Sequence, residues 1–180
     1  FILEERGILK EDRLVGYLDK KETRGLLWVL GKVKSGIIVV DLPDNKGKVS
    51  LEIMNAKSKV IPEVEDGKIK IKVEITEEAN LGGETSFENL SSPGALSYLE
   101  KLQTKVIEEE IKAVLNKAKT YQLDIFGFGE SVHRKYRKLW HAIEENWGEI
   151  FLQMEVEIKV KTVIRRTGLT TRPIIILQNK

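Results

Sequence analysis

The sequence predicts an α+β domain: an antiparallel β-sheet with long helices packed on one face. Three observations predict it. First, Ile69, Ile71, Val73 and Ile75 alternate with Lys68, Lys70, Lys72 and Glu74, and Met154, Val156, Ile158 and Val160 alternate with Gln153, Glu155, Glu157, Lys159 and Lys161. Such alternation marks strands with one buried and one wet face. Second, Leu96, Leu99, Leu102, Val106, Ile111, Val114, Leu115 and Ala118 form an apolar stripe at helical spacing, with Glu108 to Glu110 and the lysines assigned to the opposite side. Third, strands come in one run and helices in the next, which is the α+β order.

The elements follow in the order hairpin-α-βββ-αα-β. Ile8–Leu9 and Leu14–Tyr17 flank the polar turn Lys10-Glu11-Asp12, so residues 1–18 hold a small hairpin and 19–180 the α+β body. Asp19 offers an N-cap with Glu22 as its reciprocal partner. A short helix over Thr23 to Leu30 then ends at Gly31. Ile37 to Val40 is an apolar, β-branched run closed by Pro43-Asp44-Asn45, and Val49, Leu51 and Ile53 alternate after it. Pro62 and Asp66-Gly67 precede the strand from Lys68. Asn80 to Asn89 is a polar loop, and Ser92-Pro93 starts the long helix, serine as cap and proline in the first turn. Asp124 caps a further helix that carries Phe128, Val132, Leu139, Trp140 and Ile143 inward. Trp147, Ile150 and Phe151 turn the chain into the last strand.

Composition excludes several function classes. The 180 residues contain no cysteine, which removes disulfides, zinc–thiolate sites, thiol nucleophiles and iron–sulfur clusters. Thirty basic residues face 28 acidic ones, a net charge of +2, without the concentrated basic face of a nucleic-acid binder. The longest apolar runs, Gly25 to Leu30 and Ile37 to Val40, fall far short of the ~20 residues that span a bilayer. The first residue is Phe1 rather than Met, so the natural N-terminus, with any signal or anchor, is expected upstream.

No catalytic motif emerges. His133 and His141 lie eight residues apart on one predicted helix, roughly 12 Å along its axis and too far to share a metal. Ser131 in Gly129-Glu130-Ser131-Val132-His133 lacks the strand-to-turn context of a hydrolase nucleophile, and residues two apart on a helix diverge. No carboxylate pair stands out by spacing, so a hydrolase ranks last, and no cofactor or metal is expected. Gly127 and Gly129 at a helix start could cradle an anion. Close packing explains them better, because interior glycines otherwise cost stability. With Gly82 and Gly83 they are the candidate ligand loop. Trp28 lies in a helix apolar nearly all round, which must be buried or pressed against a partner. Arg24, Trp28, Lys32 and Lys34 are the candidate protein-binding residues, since partner surfaces favour Trp and Arg. Trp140 and Trp147 are assigned to the core.

Several ordered blocks carry a family resemblance: Leu14-Val15-Gly16-Tyr17-Leu18-Asp19, Glu22-Thr23-Arg24-Gly25-Leu26-Leu27-Trp28, Gly31-Lys32-Val33-Lys34-Ser35-Gly36, Asp124-Ile125-Phe126-Gly127-Phe128-Gly129-Glu130 and Ile164-Arg165-Arg166-Thr167-Gly168-Leu169-Thr170. Together they resemble the Ger(x)C family, the C-subunit lipoproteins of nutrient-germinant receptors in endospore-forming bacteria. Tyr17, where the family often has tryptophan, and the apolar run Ile174-Ile175-Ile176-Leu177 depart from the pattern. The resemblance implies one C-terminal domain of a larger lipoprotein, lipid-anchored at the outer surface of the spore inner membrane. Its implied partners are integral-membrane A- and B-type receptor subunits, and it implies no enzymatic activity.

Overall fold

Sequence-local chemistry sets the first elements. Strands β1 (Arg6–Lys10) and β2 (Arg13–Leu18) pair antiparallel as the expected hairpin, turning at Asp12 with φ 62°. Helix α1 (Lys20–Val29) opens with the predicted capping box. Glu22 N donates to Asp19 Oδ1 at 2.7 Å, and Asp19 N donates to Glu22 Oε2 at 2.9 Å. Gly31, at φ +64°, ends the helix in the left-handed region that glycine adopts without strain.

A four-stranded sheet follows in the order β3-β4-β5-β6, built from β3 (Gly36–Asp41), β4 (Lys48–Glu65), β5 (Lys68–Leu81) and β6 (Glu155–Arg165). The structure, a computed structural model, describes residues 6–10, 12–42, 47–81 and 93–165. The Pro43-Asp44-Asn45 turn, the Gly82-Gly83 loop, Arg166 to Thr170 and the apolar run from Ile174 lie outside them.

One expectation for the sheet needs correction, and one residue within it needs explaining. Pro62 does not interrupt β4, which continues past it and pairs Pro62 with Ile71. The Pro62 carbonyl accepts from Lys135 Nζ at 2.7 Å, so the side of the strand that lacks an N–H points away from β5 and no ladder bond is lost. The sheet is also not wholly antiparallel. β3, β4 and β5 pair antiparallel, whereas β6 joins the β5 edge in parallel, Val73 opposite Ile158 and Ile75 opposite Val160. A helical crossover separates β5 from β6, which is the connection a parallel pair requires. Both alternations keep their predicted phase, with Ile71, Val73 and Ile75 buried on the helix-covered face. On the other face Lys70, Lys72, Glu74, Glu155, Glu157 and Lys159, half-buried or exposed, form ion pairs.

Helix α2 (Pro93–Thr120) lies across the buried face. Leu99, Ile107, Ile111, Val114 and Ala118 point into the core, and so do Gln103 and Glu110. Glu110 therefore belongs to the inner stripe, contrary to the side assigned to Glu108–Glu110. The spacing 99, 103, 107, 110, 114, 118 follows one helix face, and a polar residue on that face is buried with it.

The second predicted helix is broken. α3 (Phe128–Lys135) stops at Tyr136, whose φ of −128° and ψ of 61° are not helical. The chain resumes as α4 (Arg137–Ile143), a 3-10 turn at Glu144–Asn146 and α5 (Trp147–Gln153). The sheet's two outer strands are each tied to a helix. Arg24 Nη1 donates to the Ile37 carbonyl on β3 at 3.1 Å, and Ile164 N on β6 donates to Glu100 Oε1 at 3.0 Å.

Candidate functional site

The block Glu22 to Trp28 builds a close contact between two helices. α1 crosses α2 at Gly25, where an added Cβ would sit 2.1 Å from the Glu110 carbonyl oxygen. Only a residue without a side chain lets the two backbones approach so far. The approach carries Arg24 and Trp28 onto the Glu110 carboxylate. Arg24 Nε donates to both carboxylate oxygens at 3.0 and 2.9 Å, Arg24 Nη2 pairs with Oε1, and Trp28 Nε1 donates to Oε2 at 3.0 Å. Glu110 is 2% exposed and Trp28 1%. A buried carboxylate is tolerable when a guanidinium fork and an indole N–H occupy its lone pairs. Around this centre, Glu22 pairs with Lys117 at 3.5 Å and Lys21 with Glu109 at 3.9 Å.

This corrects the expectation for Trp28 and Arg24 as partner-facing residues. Trp28 fills the core, and the Arg24 guanidinium is consumed by Glu110 and Ile37. Lys32 and Lys34 stand exposed on the segment after α1, either side of buried Val33.

The block Asp124 to Glu130 builds a second compact unit. Asp124 Oδ1 accepts from Phe128 N at 3.1 Å, and Oδ2 accepts from Gly129 N at 2.8 Å and Trp147 Nε1 at 3.1 Å. The side chain thus caps α3 as predicted, although Gly127 occupies the cap position at φ +72°. The two glycines have different reasons. A Cβ on Gly129 would meet Trp147 and Trp140 at 2.8–2.9 Å, whereas one on Gly127 would meet nothing within 4 Å. Close packing explains Gly129, and backbone conformation explains Gly127. The Asp124 carboxylate already occupies the first amides of α3, so no anion is needed there. Gly82 and Gly83, the rest of the candidate ligand loop, lie outside the described residues.

A cleft of about 360 Å³ opens beside this unit, lined by residues that include Leu30, Ser58, Gly127, Glu130, Ser131 and Arg134. Its hydroxyl hydrogens are engaged: Ser58 Oγ donates to the Val29 carbonyl and Ser131 Oγ to the Gly127 carbonyl. The break at Tyr136 overturns the estimate for the histidines, because α4 folds back and brings the His133 and His141 rings to 6.3 Å between centroids. His133 also stacks on Trp140 at 5.6 Å. Among the described residues no three His, Cys, Asp or Glu side chains converge as a metal site.

Two features escaped the sequence reading. Glu77 and Gln103 are both 0% exposed between β5 and α2, and Gln103 Nε2 donates to Glu77 Oε1 at 3.0 Å. Burial pushes the Glu77 carboxyl up to about 7, against the lowering effect of the Gln103 bond and with Glu78 adding to the rise. The signal was present, since Glu77 continues the inward phase of Ile71, Val73 and Ile75. The other feature is the outer surface of the hairpin, where Leu9 (62%), Leu14 (51%), Val15 (37%) and Tyr17 (56%) are exposed. Ile8 and Leu18 on the same ribbon are buried in the core, and Gly16 packs against the Tyr121 ring.

Residues 5–168 match the family model described as spore germination B3/GerAC like, C-terminal. The chain is similar to spore germination protein KC of Bacillus subtilis (strain 168), 30% identical over 96% of this chain and 44% of that protein. It is similar to spore germination protein B3 of the same organism, 29% identical over 90% of this chain and 44% of that one. Among solved structures it resembles the crystal structure of the GerBC protein, with a TM-score of 0.77 and 26% identity over 88% of this chain and 50% of that chain. The chain thus spans half or less of the length of these relatives.

Proposed function

The chain belongs to the spore germination B3/GerAC-like C-terminal family, and from that premise we propose that it is the C-terminal, protein-binding domain of a germinant-receptor lipoprotein. In this reading it is a non-catalytic scaffold needed for germination. It is held at the outer surface of the spore inner membrane by a lipid anchor elsewhere in the full protein, beside integral-membrane A- and B-type subunits. No helix among the described residues is long and apolar enough to cross a membrane. The observation that carries the proposal is the exposed hairpin face of Leu9, Leu14, Val15 and Tyr17. Four apolar side chains on one two-stranded ribbon form the kind of patch that marks a contact with another protein. Tyr17 supplies the aromatic anchor such contacts favour. Lys32 and Lys34 are offered as polar contacts of the same interaction.

The test is binding of the chain to the soluble parts of the two membrane subunits, comparing wild type with Leu14→Lys/Tyr17→Lys. Both positions are exposed, so the unfolding midpoint should hold while affinity falls about tenfold or more. Undiminished binding would remove the hairpin from the interface. Absence of binding to either subunit would overturn the scaffold reading.

A second reading is a small-molecule germinant-binding module using the cleft between Leu30, Ser58 and Gly127. It ranks lower because the hydroxyls that line the cleft are already bonded to backbone carbonyls, which leaves the exposed Glu130 and Arg134 as its polar handles. Saturable germinant binding lost in Arg134→Ala would raise it above the first.

A further inference from the structure

Glu77 and Gln103 form the least satisfied buried contact among the described residues. One bond joins them, Gln103 Nε2 to Glu77 Oε1 at 3.0 Å, and the two remaining oxygens, Glu77 Oε2 and Gln103 Oε1, are buried with no donor. Two acceptors left over on two groups already in contact can be joined by a single hydrogen. A protonated carboxyl supplies it: Oε2–H donates to the amide oxygen while the amide N–H donates to Oε1, and all four atoms are satisfied.

The surroundings give the ionised form no such relief. From β5 the neighbouring charge is Glu78, itself paired with Arg165. From α2 comes Glu100, whose carboxylate accepts Ile164 N, and Thr104, whose hydroxyl meets that of Thr162 at 2.9 Å. From β6 the residue opposite Glu77 is Thr162, which donates to the Glu100 carbonyl. From β4 the residue opposite is Ala56. No lysine or arginine among the described residues bonds to Glu77. A buried carboxylate without a counter-charge must either take a proton or admit water.

We propose that the Glu77–Gln103 contact is a proton-operated latch, closing α2 onto β5 and β6 when Glu77 is protonated and loosening that seam when it ionises. The proton lost on opening goes to solvent, and water takes its place between helix and sheet. The folded-state carboxyl, at about 7, lies above the ordinary glutamate value of 4.5. The latch's contribution is therefore complete below about pH 4.5, declines as pH rises towards 7 and is absent above it. Gln103 is two turns of α2 before Glu110, so opening at the latch leaves the α1 contact in place and frees the first half of the helix.

The test uses three measurements on the chain. Carbon NMR of glutamate-labelled wild type should show one carboxyl, absent from the spectrum of Glu77→Gln, titrating near neutral pH. Hydrogen exchange of α2 amides around Gln103, corrected for the intrinsic pH effect, should quicken about tenfold or more from pH 6 to pH 8 in wild type. It should stay flat in Glu77→Gln, whose amide offers the same two bonds at every pH. Glu78→Gln should keep the pH dependence, with its midpoint moved slightly down because Glu78 adds to the rise at Glu77. A Glu77 carboxyl titrating in the ordinary range overturns the latch, as does an α2 exchange profile that keeps its pH dependence in Glu77→Gln. If that variant does not fold, titration assigned within the wild type by through-bond correlation decides alone.

Discussion

Helix α2 meets two buried glutamates, and the fold treats them differently. At Glu110 the carboxylate receives the Arg24 guanidinium and the Trp28 indole N–H, so every strong acceptor direction is used. At Glu77, reached through Gln103 two turns earlier on the same face, there is one amide bond and no cation. The first arrangement binds α1 to α2 as a fixed joint. The second is stable in one protonation state and strained in the other. Burial alone therefore does not say what a glutamate does; the number and charge of its donors does.

The largest expected effect comes from opening the fixed joint. Arg24→Met strands the Glu110 carboxylate and should cost about 3–5 kcal/mol in urea unfolding. The double variant Arg24→Met/Glu110→Leu should recover most of that loss, because it removes both charges. A double variant no better than the single would mean that the joint's value lies in packing, and the comparison with Glu77 would weaken.

Gly25→Ala tests whether the close crossing creates the joint. The new methyl group meets a backbone carbonyl rather than a flexible side chain, so the helices must separate, at a cost of about 1–3 kcal/mol. Measured destabilisation under ~0.5 kcal/mol would show that the crossing has slack. Trp28→Phe keeps most of the ring and loses the indole donor. About 1.5–3 kcal/mol is the usual value of a hydrogen bond to a charged group, and here the lower end is expected because Arg24 remains on the carboxylate. The smallest change in overall stability should come from Glu77→Gln at acid pH. There wild type and variant present the same bonds, and they should diverge as pH rises from about 4.5 towards 7.

The legible parts of the fold share a cause. The Asp19–Glu22 capping box, the Asp12 turn and the alternations of β5 and β6 depend on neighbours a few residues away, so residue type and spacing state them directly. The assignment of Trp28 to a surface failed for the opposite reason. An indole on an all-apolar helix reads the same whether a partner or α2 covers it, and the covering residue, Glu110, is 82 positions away. Tyr136 gave no breaker signal, yet its backbone ends α3 and places the histidines at 6.3 Å. In the candidate surfaces, Lys32 and Lys34 were visible as local charge. The hairpin patch was not, because Leu9, Leu14 and Tyr17 look like core residues until the fold shows them exposed.

By itself, then, the sequence determined the α+β class, the element order apart from the helix break, and the family blocks, since each rests on short-range periodicity, caps and composition. Tertiary structure alone decided that β6 lies parallel to β5, that Arg24 and Trp28 face inward, and that Glu77 has an amide and no cation beside it. Those outcomes depend on which distant side chains burial brings together, and burial charges are settled by donors that local spacing does not contain.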